Sequence, residues 1–216
     1  MREAFHERLD SMFDDLAGIA GQVQLAVHDA SRALLTGDAA MAEAVISADR
    51  EIDRASEKVE DTAFSLLSLQ QPVAGDLRTV VAALRMVSEL ERMGDLSVHV
   101  AKIARLRVPQ VAVPVEARPT MVRMAAVAEE MVSRLVHIIG ERDVEAAEEF
   151  ELMDDEMDQL RVTTFSQLLV GEWNHGVEPA VDIALLGRYY ERIADHAVSV
   201  AHRVIFVVTG RQPTGA

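Results

Sequence analysis

The chain has no cysteine among its 216 residues. Disulfides are excluded, and so are thiolate zinc sites and cysteine-held iron–sulfur clusters. Aromatic residues make up only 4% and prolines number six. That is too few turn-forming residues for the closely spaced strands of a sheet protein. Basic residues are outnumbered, with 21 Lys and Arg against 36 Asp and Glu and a net charge of −15. A surface of that sign repels nucleic-acid phosphates and anionic membrane surfaces. Long apolar runs are missing as well. The stretch Met1 to Arg8 carries acids and lacks the apolar segment of a signal peptide. The most apolar stretch, Ala197 to Val208, is interrupted by His202 and Arg203 and is too short to span a bilayer. The expectation is a cytoplasmic protein with no membrane insertion and no nucleic-acid partner.

Half of the residues are apolar, and their spacing is helical nearly throughout. Leu9, Met12, Leu16, Ile19, Val23, Val27, Ala30 and Leu34 mark a first long helix that stops near Thr36 and Gly37. Asp38 is an N-cap for a second, with Val45, Ile52, Val59 and Leu66 as its stripe, running to about Gln70. Pro72 punctuates the turn, and a third helix runs from about Ala74 to Arg107. Pro109, Pro114 and Pro119 then read as an extended linker. Met121, Met124, Ala128, Met131, Leu135 and Ile138 define a fourth helix ending near Gly140; the methionines read as core filling. Asp143 caps a fifth to about Gly171, with Glu145, Glu148, Glu149 and Glu151 on a solvated face, and the sixth spans about Val177 to Val208. Connections this short make neighbours antiparallel. The fold class is therefore all-α, with six long helices in two tandem three-helix bundles. The expected divisions are 1–108, a Pro-rich linker 109–119, 120–210, and a loose tail 211–216.

The two halves repeat one another. Glu91-Arg92-Met93-Gly94-Asp95 is answered 100 positions later by Glu191-Arg192-Ile193-Ala194-Asp195. Upstream, Asp49 and Asp53 are answered by Asp154 and Asp158. Each acidic pair has i, i+4 spacing, which puts both carboxylates on one helix face. Like charges so placed cost a few tenths of a kcal/mol unless a cation compensates them. Such pairs arise by chance in a chain with 36 acids, so their level in the hairpin matters more. In the first half, Asp49 and Asp95, like Asp53 and Glu91, are equidistant from Pro72 in the turn. In the second, Asp154 and Asp195, like Asp158 and Glu191, are equidistant from the point between Asn174 and His175. Antiparallel helices thus bring four carboxylates to one height, twice. The helical phases place them at a seam between helices, with Glu91 inside the core stripe of its helix.

Two readings compete for these acids. One is a bound metal: all-oxygen ligation suits hard cations such as Mg²⁺, Ca²⁺ or Mn²⁺ and admits iron. The other is an ion-pair network through Arg50, Arg54, Arg85, Arg92, Arg188 and Arg192, in a metal-free helical adaptor. His196 follows Asp195 directly, points about 100° away from it, and reads as an outer neighbour of the site or a surface residue. Gly94 and Ala194 read as close helix packing, and Tyr189 and Tyr190 as interhelix packing. A third reading is a di-iron carboxylate oxidase, which needs Glu-x-x-His on facing helices. Glu3 to His6 and Glu172 to His175 are the strings available, and they do not occupy equivalent points of the repeat.

The run Leu66-Leu67-Ser68-Leu69-Gln70-Gln71-Pro72-Val73-Ala74-Gly75-Asp76-Leu77-Arg78, with Leu90 to Asp95 and Leu185 to His196, resembles the PhoU family of bacterial phosphate-transport regulators. The resemblance covers nearly the whole chain. It implies a pseudo-twofold between the bundles. It also implies carboxylate-held clusters of divalent or trivalent metal ions (Fe, Mn, Mg or Zn, identity open) at Asp49, Asp53, Glu91 and Asp95, and at Asp154, Asp158, Glu191 and Asp195. A negative regulator of the phosphate-starvation response is implied, with no catalytic activity. Its partners would be a phosphate ABC-transporter ATPase and a sensor histidine kinase, and a homodimer is the expected assembly. Ala194 stands where that family usually has Gly.

Overall fold

The computed structural model describes residues 2–70, 72–169 and 173–211. The helical spacing of apolar residues becomes α1 (Arg2–Thr36), α2 (Ala39–Gln70), α3 (Gly75–Arg107), α4 (Arg118–Glu141), α5 (Val144–Glu148), α6 (Phe150–Leu169) and α7 (Val177–Thr209). The six expected helices are all present, the fifth broken at Glu149 into α5 and α6. No strand occurs among the described residues. Leu9, Met12, Leu16, Ile19, Val23, Val27, Ala30 and Leu34 are all buried on α1, as are Val45, Ile52, Val59 and Leu66 on α2. The methionine stripe of α4 is buried likewise.

Helix ends follow local chemistry. Gly37 takes a positive φ of 69° after α1, and the Asp38 side chain accepts a bond from the Met41 N–H at 2.9 Å to start α2. Asp143 accepts from the Ala146 N–H at 3.1 Å to start α5. Helix α4 ends at Glu141, next to Gly140 as expected, and stops where Arg142 adopts a left-handed conformation. The Arg142 guanidinium then lies over the Phe13 ring and bonds Asp10 at 2.5 Å, which gives that side chain a reason to turn there. The proline segment is turned, not extended. Ala112 and Val113 are buried in it, and Pro119 sits in the first turn of α4, where its missing N–H costs nothing. The expected end of the fifth helix at Gly171 and the tail beyond Arg211 lie outside the described residues.

Helices α1, α2 and α3 pack together, as do α4, α6 and α7, and the two groups meet through α1 on α4 and α3 on α7. Both contacts are antiparallel. Arg78 near the start of α3 donates to the Val207 carbonyl near the end of α7 at 3.1 Å. Arg107 at the end of α3 donates to Asp182 near the start of α7 at 2.5 Å. Asp10 and Arg142, then His28 and Glu129 at 3.2 Å, do the same between α1 and α4. This is the relation a pseudo-twofold requires. One apolar core runs through both units from Phe5 to Val207, and the Tyr190 hydroxyl pins them together through Ser31 at 2.9 Å.

Candidate metal centres

The hairpins α2–α3 and α6–α7 carry the two acidic sets. In the first, Asp49 and Glu91 are half-buried, while Asp53 and Asp95 are exposed. The set is brought together as the level rule predicts. Burial pushes the Asp49 carboxyl up, helped by the charges of Asp53 and Asp95. Burial also pushes Glu91 up, followed by Asp53, Asp95 and Glu60. No arginine comes within ion-pair distance of these four acids among the described residues. Arg54, one candidate counter-ion, pairs instead with Glu51 on its own helix at 2.7 Å. Gly94 lets α2 approach: a Cβ there would stand 3.1 Å from Ile52 Cδ1 and 3.5 Å from Asp49 Oδ1.

The second set repeats the arrangement with one difference. Asp154 is half-buried, Asp158 and Asp195 are exposed, and Glu191 is buried, 7% exposed. Burial raises the Asp154 carboxyl to about 6, and Asp195, Asp158, Asp155 and Glu191 add to the shift in that order. Glu191 is also raised, chiefly by burial and then by Asp195, but Arg188 and Arg161 oppose the shift. Arg188 bonds the Glu191 carboxylate directly, and Arg161 stands 3.6 Å from it. The ion-pair reading is therefore realised on one acid of the second set. Arg188 was on the list of candidate counter-ions; Arg161, which follows Asp158 by three residues, was missed although that spacing puts it on the same helix face.

His196 is where the antiparallel packing matters most. It is buried, not superficial, and turns away from Asp195 as its phase requires. Its ring faces α3, with Nδ1 2.6 Å from Glu89 Oε2. Together with Ser88, Glu91, Arg92, Asp95, Leu96, His99 and Arg192 it lines a pocket of about 430 Å³ between α3 and α7, which takes in Glu91 and Asp95 of the first set. His99 was missed by the sequence reading, yet it follows Asp95 by four residues and so continues the Glu91–Asp95 face. Among the described residues no three Asp, Glu or His side chains enclose an ion as they stand. What the structure provides is two concentrations of mutually repelling carboxylates, a donor set whose chemistry fits a hard cation.

For the oxidase reading, the side chains of Glu3 and Glu172 lie outside the described residues. His6 meets Asp76 at the start of α3, while His175 meets Glu116 just before α4. Those are opposite ends of the molecule, so the two histidines do not face one another. No helix among the described residues is long and apolar enough to cross a membrane.

Comparison with known proteins agrees with the repeat. The PhoU domain profile matches residues 16–104 and again 121–204. The phosphate-specific transport system accessory protein PhoU homolog 2 of Mycobacterium tuberculosis is 46% identical over 213 residues, covering 99% of this chain and 100% of that protein. The PhoU homolog of Rhizobium meliloti is 29% identical over 98% of this chain and 90% of its own. The crystal structure of PhoU from Pseudomonas aeruginosa superposes with a TM-score of 0.87 at 25% identity, over 96% of this chain and 100% of that one.

Proposed function

The chain belongs to the PhoU family, and we propose that it is a regulatory accessory protein of a phosphate-specific transport system that binds metal ions at its two carboxylate sets. The observation that carries the metal part is the duplicated quartet: in each hairpin, burial and then the charges of neighbouring acids raise the proton affinity of one acid on each helix, Asp49 and Glu91 in the first and Asp154 and Glu191 in the second. Asp49, Asp53, Glu91 and Asp95 would hold one centre, and Asp154, Asp158, Glu191 and Asp195 the other. A bound cation would supply positive charge where the chain has gathered four carboxylates at each centre, of which only Glu191 is held by arginines among the described residues. The chain's own part is to hold the two helices at one height and to admit the ion at a partly exposed seam.

The regulatory part rests on the relatives, whose names make them accessory proteins of that transport system. A negative effect on phosphate-starvation genes, exerted through a transporter ATPase and a sensor histidine kinase without catalysis, is the reading we adopt, with a homodimer as the assembly. Surface chemistry supports work through protein partners. Apolar side chains stand exposed at both hairpin ends: Phe64, Val73, Leu77 and Val81 at one, Phe165, Leu169, Val177 and Val181 at the other. Exposed apolar groups clustered in this way mark interaction surfaces. One observation favours the metal-free adaptor as the second reading, namely the arginine pairing of Glu191.

A deletion strain tests the regulatory proposal. With no redundant copy present, a phosphate-starvation reporter should stay switched on in high phosphate, and the intact gene should restore repression. Unchanged reporter expression would count against the assignment.

A further inference from the structure

The two acidic sets differ in what surrounds them. On α3, Glu91 and Asp95 continue four residues on to His99; on α7, Glu191 and Asp195 continue to Ser199. Residues at that spacing share a helix face. The His99 ring is stacked on Tyr189 with centroids 5.3 Å apart, lines the pocket with Glu91 and Asp95, and is close enough to Asp49 to act on its charge.

A second imidazole reaches the same pocket from the other unit. His196 is 9% exposed. Its Nδ1 is held by Glu89 at 2.6 Å, while its Nε2 is buried without any hydrogen-bond partner. A buried polar atom left without a partner calls for an explanation such as an absent ion or water. An imidazole tied through one nitrogen to a carboxylate, with the other nitrogen unpartnered, has the posture of a metal ligand oriented by its outer partner. At the equivalent place 100 positions earlier the chain has Leu96, which cannot ligate. Among the described residues the second set has no imidazole at the equivalent places, and it commits Glu191 to Arg188 and Arg161.

We propose that the first centre is a mixed oxygen–nitrogen site, in which His99 and, from the other unit, His196 join the carboxylates, while the second centre is carboxylate-only. The inference rests on the reading that the acidic sets bind metal, and it assigns their different chemistry. Imidazole nitrogen favours transition metals such as Mn, Fe, Co or Zn over Mg²⁺ at the first centre. An ion there also ties α3 to α7, and so one unit to the other. Coordination requires rotation of the side chains, since these donors line the pocket without enclosing an ion.

The test uses Mn²⁺ on the full chain with Glu191→Gln and Asp195→Asn, which confines the ion to the first centre. Pulsed electron paramagnetic resonance should then show ¹⁴N coupling to the bound Mn²⁺. His99→Gln should weaken that coupling, and adding His196→Gln should abolish it, with Mn²⁺ affinity falling about tenfold or more. His99 is exposed, so its variant reads ligation without threatening the core. In the converse chain, Glu91→Gln with Asp95→Asn, Mn²⁺ at the second centre should show no ¹⁴N coupling. Mn²⁺ bound at the first centre without ¹⁴N coupling, or equal coupling at both, overturns the inference and leaves the carboxylate reading standing. No Mn²⁺ bound by either chain overturns both.

Discussion

Single side chains carry the electrostatic strain of this molecule. The Asp154 carboxyl, raised to about 6, binds its proton more tightly in the folded chain than in the unfolded one. Its contribution to stability therefore grows as pH falls through the folded value toward the unfolded one, and its destabilising effect is complete above about pH 7. In chelator-treated protein, Asp154→Asn should raise the melting temperature at neutral pH, and the gap to the wild type should shrink steadily toward about pH 4. A gap independent of pH would mean that burial and the neighbouring acids do not raise the Asp154 carboxyl in the folded chain. Tyr190 makes a different kind of prediction. Its hydroxyl is buried against Ser31 across the two units, and burial raises its pKa. Tyr190→Phe should cost about 1 kcal/mol in a denaturant titration, because the Ser31 hydroxyl loses its buried partner.

At the scale of helices, the caps and stripes were written into the sequence, and so was the height of the acids. Asp38→Ala should cost about 1 kcal/mol of stability, with faster amide exchange confined to the first turn of α2. Apolar spacing showed each helix because packing on one face leaves a periodic trace. Counting from Pro72 showed the level of the acids because short connections force antiparallel hairpins. The break at Glu149 was not legible, since no Gly or Pro marks it and Val144, Ala147 and Phe150 continue to look helical. The turned linker was hidden for the opposite reason: three prolines announce irregular chain without saying that Ala112 and Val113 bury themselves. The His196–Glu89 contact could not be read from either repeat alone. It depends on α3 lying antiparallel on α7, a long-range arrangement that brings together residues whose numbers differ by 107. His99 was legible by its spacing from Asp95, since residues four apart share a helix face, but the duplicated pattern does not include it because Ser199 stands at the equivalent place.

For the whole molecule, duplication is the organising fact. Two units share one core, present two acidic sets at their seams, and expose apolar residues at opposite ends. A cation at each set would bind the folded hairpin and not the unfolded chain, so metal should stabilise the protein by RT ln(1 + [L]/Kd), about 2.7 kcal/mol per centre at a hundredfold excess over Kd. The most direct measurement is thermal unfolding of chelator-treated protein with and without added Mn²⁺. It compares the wild type, the Glu91→Gln/Asp95→Asn chain, the Glu191→Gln/Asp195→Asn chain, and the chain with all four changes. The account predicts a melting temperature raised by Mn²⁺ in the wild type, a smaller rise in each double variant, and none in the fourfold variant. If Mn²⁺ leaves the wild type unmoved, and the neutral variants are destabilised equally with and without it, the acids serve arginine pairing and the metal-centre account is wrong.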